Sequence, residues 1–139
     1  MQKIRQVLEK PSNFRNKDEI INLAKSKSVM RLAQHLGRDE KVLRMAKGAY
    51  SDLIGILAAT NKKVIFISRG VVLKTEIEIS YHDILTAVSV RKLFNNSIMI
   101  KTDKGVFTIS KVSRRHSKRL ARFIDGKSAD IRKDYIKNT

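Results

Sequence analysis

Apolar positions change their period near residue 40, and the change divides the chain. Before it, Ile4, Val7 and Leu8 share one face of a short helix that Pro11 and Ser12 interrupt. Asn16 stands three residues ahead of Glu19, the spacing of a capping box, and Ile20, Leu23 and Ala24 follow at helical intervals. Val29, Leu32, Ala33 and Leu36 recur at i, i+3, i+4 and i+7, and Gly37 supplies a C-terminal stop. We expect these helices to pack on the domain. The alternative is that the Val29, Leu32, Leu36 stripe serves self-association or a protein partner.

Beyond Val42 the pattern is that of strands. Val42 to Ala49 reads as a first strand, and Leu53 to Thr60 and Val64 to Ile67 are short β-rich runs joined by Asn61-Lys62-Lys63. Arg69-Gly70 turns the chain again. Val71, Leu73, Thr75, Ile77 and Ile79 then alternate with Val72, Lys74, Glu76, Glu78 and Ser80, as a half-buried antiparallel strand does. Leu85 to Val90 and Ser97 to Thr102 predict two more strands, with Asn95-Asn96 near a turn where Asn tolerates positive φ. Asp103-Lys104-Gly105 leads into Val106 to Ser110. Ser113 is then placed to cap a helix running through Ile124, with Gly126 after it.

Seven strands joined by tight turns, with no βαβ crossover, argue against a parallel sheet. The expected fold class is α+β, mainly β: a seven-stranded antiparallel barrel capped by a C-terminal helix. The expected organisation is a helical extension over 1–40, the barrel and its helix over 41–126, and a basic tail over 127–139.

Composition narrows the function. The chain has 139 residues, 42% of them apolar, enough for one domain with a substantial core. It has no cysteine, which excludes a disulfide framework, a Cys-based zinc site and a thiol nucleophile. No apolar run approaches the ~18 residues that span a bilayer, and the first ten residues lack a signal peptide's apolar stretch. Cytoplasmic residence, with peripheral contact to the membrane as one option, is the expectation.

Charge is the outlier. Thirty Lys and Arg face 13 Asp and Glu, a formal net of +17, and residues 111–139 are the richest in cations for their length, with 10 basic and 3 acidic groups. Such a field favours anionic partners: nucleic acid, an acidic membrane surface or an acidic protein.

The segment Gly55-Ile56-Leu57-Ala58-Ala59-Thr60-Asn61-Lys62-Lys63-Val64-Ile65-Phe66-Ile67 resembles the signature of YokE-like bacterial pleckstrin-homology (PH) domains. Gly37-Arg38-Asp39-Glu40-Lys41-Val42-Leu43 and Tyr81-His82-Asp83-Ile84 extend the resemblance over about residues 37–126. It implies the PH arrangement of seven antiparallel strands and one closing helix, in a family whose members are bacterial or phage-borne. Eukaryotic relatives often bind phosphoinositides through basic residues in the first hairpin. Here that loop reads Lys47-Gly48-Ala49-Tyr50-Ser51, with a single lysine, which departs from the headgroup-binding pattern.

No catalytic constellation stands out. His35, His82 and His116 are scattered, without metal-ligand neighbours at useful spacing, and read as ordinary surface or half-buried residues. Glu76 and Glu78 share a strand face with Lys74, a solvated polar pattern rather than a carboxylate pair in a cleft. There is no Gly-rich phosphate loop and no nucleophile elbow. The expectation is a non-catalytic module with no cofactor, no metal and no small-molecule substrate.

The last helix carries the sharper signal. At ~100° per residue, Arg114, Arg115, Lys118, Arg119 and Arg122 fall within ~140° of one another. Val112, His116, Leu120, Phe123 and Ile124 occupy the opposite arc. Solvated helix faces normally mix signs, and this one carries five cations with Asp125 at its end. Arg91 and Lys92 precede Leu93 and Phe94 in a second basic segment, whose two apolar residues are expected to pack against the barrel rim. The alternative is insertion into lipid or stacking on a base. The expected function is therefore binding of an anionic partner through Arg114, Arg115, Lys118, Arg119, Arg122, Arg91 and Lys92. A protein-interaction or homo-oligomerisation module, phage-encoded and regulatory, is the alternative.

Overall fold

The computed structural model describes residues 27–68 and 75–137. The helices expected over 4–8 and 16–24, the Arg69-Gly70 turn and the first part of the fourth strand lie outside the described residues.

Helix α1 (Lys27–His35) precedes seven strands: β1 (Val42–Tyr50), β2 (Leu53–Thr60), β3 (Lys63–Ser68), β4 (Glu76–Ser80), β5 (Ile84–Arg91), β6 (Asn96–Thr102) and β7 (Gly105–Val112). A 3₁₀ turn, Tyr81–Asp83, leads into β5, and α2 (Arg114–Lys137) ends the fold. The spatial order is β4-β3-β2-β1-β7-β6-β5, antiparallel throughout. The expected seven-strand arrangement with a closing helix is what forms.

The sheet folds over where β1 meets β7, which pair only at Ala49 and Ser110. Gly48 permits that approach, since a Cβ there would lie 2.6 Å from Ile109 Cγ2 and 3.1 Å from the Ser110 carbonyl. Gly55, opposite Gly48 in β2, is tighter still: a Cβ would fall 2.7 Å from Ser68 Cα and closer yet to the Ile67 carbonyl. Both glycines are chosen for absence of bulk.

Two apolar layers result. The inner core joins Leu57, Val64, Phe66 and Ile79 of one half of the sheet to Ile84, Ile98, Ile100 and Ile109 of the other, closed by Leu120, Ala121 and Ile124 of α2. The outer layer is α1: Val29, Leu32, Ala33 and Leu36 pack on Met45, Ile56, Ala58, Ile65 and Ile67. Strands β2 and β3 are thus covered on both faces, which is why their sequences run almost continuously apolar instead of alternating. Val29, Leu32 and Leu36 are buried against the sheet, so the stripe is occupied within the chain and is not open to a partner.

The signature turn is structural. Thr60 Oγ1 donates to Glu40 Oε2 at 2.6 Å and accepts from the amides of Lys62 and Lys63 at 3.0 Å each. Asn61 accepts from the Lys41 amide at 2.7 Å and donates to the Asp39 carbonyl at 3.1 Å. Glu40, buried, also accepts from the Gly37 amide and lies 3.5 Å from Lys63 Nζ, which reaches Glu78 at 3.4 Å. His35 Nε2 lies 3.0 Å from Glu76. Glu76 and Glu78 are therefore engaged with α1 and β3, more than solvated positions.

Three further expectations are corrected. The first hairpin turns at Ser51-Asp52, with φ of 47° and 64°, and not across Lys47–Ser51. This is the paired left-handed conformation that matches strand twist, and it leaves Lys47 inside β1. Asn95 and Asn96 do not take positive φ; Asn96 opens β6 and is buried. Finally, α2 does not stop near Gly126 but continues to Lys137, across the segment expected to be a basic tail. Gly126 faces open space, and the helix goes on because Ile131 still packs against the core and the buried Ser128 hydroxyl bonds back to the Ile124 carbonyl at 2.6 Å.

Candidate binding surface

Ser113 caps α2, its Oγ accepting from the His116 amide at 3.3 Å. With the start of the helix set, its two arcs separate as expected. Val112, Leu120 and Ile124 are buried, while Arg114, Arg115, Lys118, Arg119 and Arg122 are all exposed. Phe123 is only half-buried, and the Arg44 guanidinium lies 5.0 Å from its ring centroid. His116, on the apolar arc, is half-buried beside Ser113.

Arg114 differs in role from the other four. Its guanidinium donates to the carbonyls of Lys92 and Leu93, at 3.0 and 2.8 Å, tying the start of α2 to the β5–β6 hairpin. Beneath this contact the buried Asn96 amide donates to Ser89 Oγ at 3.0 Å and Ser117 Oγ at 2.8 Å, and Ser89 donates to Ser117. The structure thus brings Arg91 and Lys92 beside the helix face, although the two segments are separated by more than twenty residues in sequence.

The hairpin tip overturns the expected packing of its apolar residues. Leu93 is 80% exposed and Phe94 88%, well above the 41–52% of the other exposed large apolar residues described. A Lys92 amide to Asn95 carbonyl bond at 2.9 Å closes the loop, with Leu93 and Phe94 at its tip.

Asp125, the one acid within the basic arc, is turned inward. Its Oδ1 accepts from the Ala87 amide at 3.0 Å, on the edge of β5 that no other strand covers. This caps part of an edge that would otherwise invite pairing, and turns one carboxylate oxygen toward the sheet. Among the described residues, none of Arg115, Lys118, Arg119 and Arg122 lies within ion-pair distance of a carboxylate. Between β5 and α2 runs a shallow groove of about 320 Å³, with Ala87, Val88 and Ser89 on one side and Lys118, Ala121 and Arg122 on the other.

Among the described residues no group of three His, Asp or Glu could hold a metal ion, and no helix is long and apolar enough to cross a membrane. Burial, and secondarily the charge of Glu40, push the Tyr81 phenol well above its ordinary range while its hydroxyl donates to the Thr60 carbonyl.

Residues 36–125 match the profile of the bacterial PH domain. The chain belongs to that family. The matched stretch runs from the Glu40-centred turn to Asp125, so it takes in all seven strands and the basic arc of α2. The crystal structure of the C-terminal domain of an unknown protein from Leishmania infantum is similar at 21% identity, over 72% of this chain and 88% of that one, with a TM-score of 0.49. No curated protein matches the sequence.

The first hairpin of this PH domain turns without a basic residue at its tip. The β1–β2 turn is Ser51-Asp52, and Lys47 is exposed within β1; α2 and the β5–β6 hairpin together present the exposed cations Arg91, Lys92, Arg114, Arg115, Lys118, Arg119 and Arg122. Sequence reading found both basic segments. It missed the parts that join them: Ser89, Asn96 and Ser117, the Arg114 bonds and the withdrawal of Asp125. Only Ser117 left a trace, as a polar residue at the margin of the apolar arc.

Proposed function

We propose that this PH domain is a non-catalytic binding module that engages an anionic partner through the exposed arc of α2 and the adjoining hairpin. The observation that supports this most is the pairing pattern. Arg115, Lys118, Arg119 and Arg122 are exposed without carboxylate partners, while Asp125 is spent on the β5 edge. Arg91 and Lys92, also exposed, extend the field along the hairpin. A cationic surface without carboxylate partners among the described residues is available to phosphate or carboxylate on another molecule.

The magnitude is modest. Four cations at ~1 kcal/mol each near an anionic bilayer supply at most ~4 kcal/mol, too little for tight binding without further contacts. The test is a variant with Arg115, Lys118, Arg119 and Arg122 replaced by Gln, sparing Arg114 because it holds the hairpin. Gln keeps good helix propensity, so circular dichroism should be unchanged. Binding to anionic vesicles should fall by up to ~4 kcal/mol. Should duplex DNA bind, its slope of log K against log salt should flatten by ~3–4. Unchanged binding in the variant would reduce the arc to a solvated lid.

A further inference from the structure

We propose that the partner is an acidic lipid bilayer, and that Leu93 and Phe94 are the anchor which inserts into it. The proposal rests on the anion-binding reading and adds to it a second, independent contribution. Two adjacent large apolar side chains, 80% and 88% exposed, are costly to hold in water unless something covers them. They are held out by design of the loop: Arg114 grips the carbonyls of Lys92 and Leu93, the Lys92 amide closes on Asn95, and Asn96 pins the hairpin base to Ser89 and Ser117. A tip so constrained gives up little conformational freedom on binding.

The order of chemistries matches a bilayer. An apolar tip stands immediately beyond Arg91 and Lys92, with the cations of α2 joined to the same hairpin through Arg114. An acidic membrane presents anionic headgroups outside hydrocarbon, and aromatic and aliphatic side chains embed ~5–10 Å below that boundary. Nucleic acid offers the same negative charge and could stack on Phe94, but Leu93 has no π face to stack with. The groove beside Lys118 and Arg122 is shallow and open, and does not enclose a headgroup. Recognition is therefore of negative surface charge and accessible hydrocarbon, as phosphatidylserine or phosphatidylglycerol would provide, and it uses a different hairpin from the one that the PH resemblance implicates.

The chain contains no tryptophan, so Phe94→Trp introduces a unique reporter. On vesicles of phosphatidylcholine with phosphatidylserine, its emission should shift to the blue and be quenched by brominated acyl chains, with little change on phosphatidylcholine alone. The double variant Leu93→Ser/Phe94→Ser should fold normally and partition onto the anionic vesicles about a hundredfold more weakly. Its affinity for duplex DNA should equal that of wild type. Three results would overturn the anchor: water-like Trp emission on vesicles that bind wild type, a double variant that partitions as well as wild type, or wild type that binds DNA or RNA but ignores anionic vesicles. The arms separate the two readings. Loss of binding in the four-Gln variant but not in the double Ser variant upholds the charged surface and sinks the anchor, and the reverse pattern sinks the charged surface alone.

Discussion

Tyr81 shows how much of this fold depends on one polar contact carried into the core. Its ring is buried in the inner layer, its hydroxyl donates to the Thr60 carbonyl, and Lys127 Nζ sits 5.6 Å above the ring. In the unfolded chain the phenol loses its proton near the ordinary value of 10.0, whereas in the folded domain burial, and then Glu40, hold it on. Above that pH the unfolded state binds fewer protons than the native state, so Tyr81's contribution to stability falls as pH rises. Tyr81→Phe should cost about 1 kcal/mol at pH 8 for the lost hydrogen bond. The gap to wild type should then shrink by about 1 kcal/mol between pH 8 and pH 11 in urea melts. A gap that stays constant would mean that the phenol titrates alike in both states. Lysines common to both proteins cancel in this difference. Nothing in the pattern around Tyr81-His82-Asp83 disclosed the buried hydroxyl, because its acceptor lies 21 residues away in sequence.

At the scale of elements, legibility followed how local the cause was. The alternation of Glu76 to Ser80 in β4, the Asp103-Lys104 turn and the Ser113 cap are set by neighbours in sequence and read directly. The end of α2 did not, because Gly126 is a local stop signal overridden by packing further along, at Ser128 and Ile131. The continuous apolar runs in β2 and β3 made sense only once α1 was seen covering their outer face. That layer makes a prediction. Leu32, 1% exposed between α1 and the sheet, should cost about 2–5 kcal/mol when cut to Ala. A loss below ~1 kcal/mol by denaturant melts would show that α1 is a loosely held flap. The hairpin tip was misread for a related reason: the pattern places two apolar residues next to a turn, but their exposure is set by contacts across the fold, such as those of Arg114 with the Lys92 and Leu93 carbonyls.

For the molecule as a whole, the +17 charge matters less than its arrangement. Glu40, Glu76 and Glu78 are committed to Lys63 and His35 around β3, β4 and α1, and Asp125 to β5. The basic arc of α2 and the β5–β6 hairpin lie side by side, and among the described residues no carboxylate pairs with Arg115, Lys118, Arg119 or Arg122. Chain pattern alone could name the cations but not their company, since company depends on contacts across the fold. The most direct measurement is a backbone-amide chemical-shift footprint of the 15.9 kDa domain, titrated with bicelles with and without phosphatidylserine. The perturbed amides should cluster at Arg91 to Phe94 and Arg114 to Arg122, only with the acidic lipid, and fade as salt is raised. A footprint centred on the Ser51-Asp52 turn or on α1 and β4, or no footprint at all, would contradict the account.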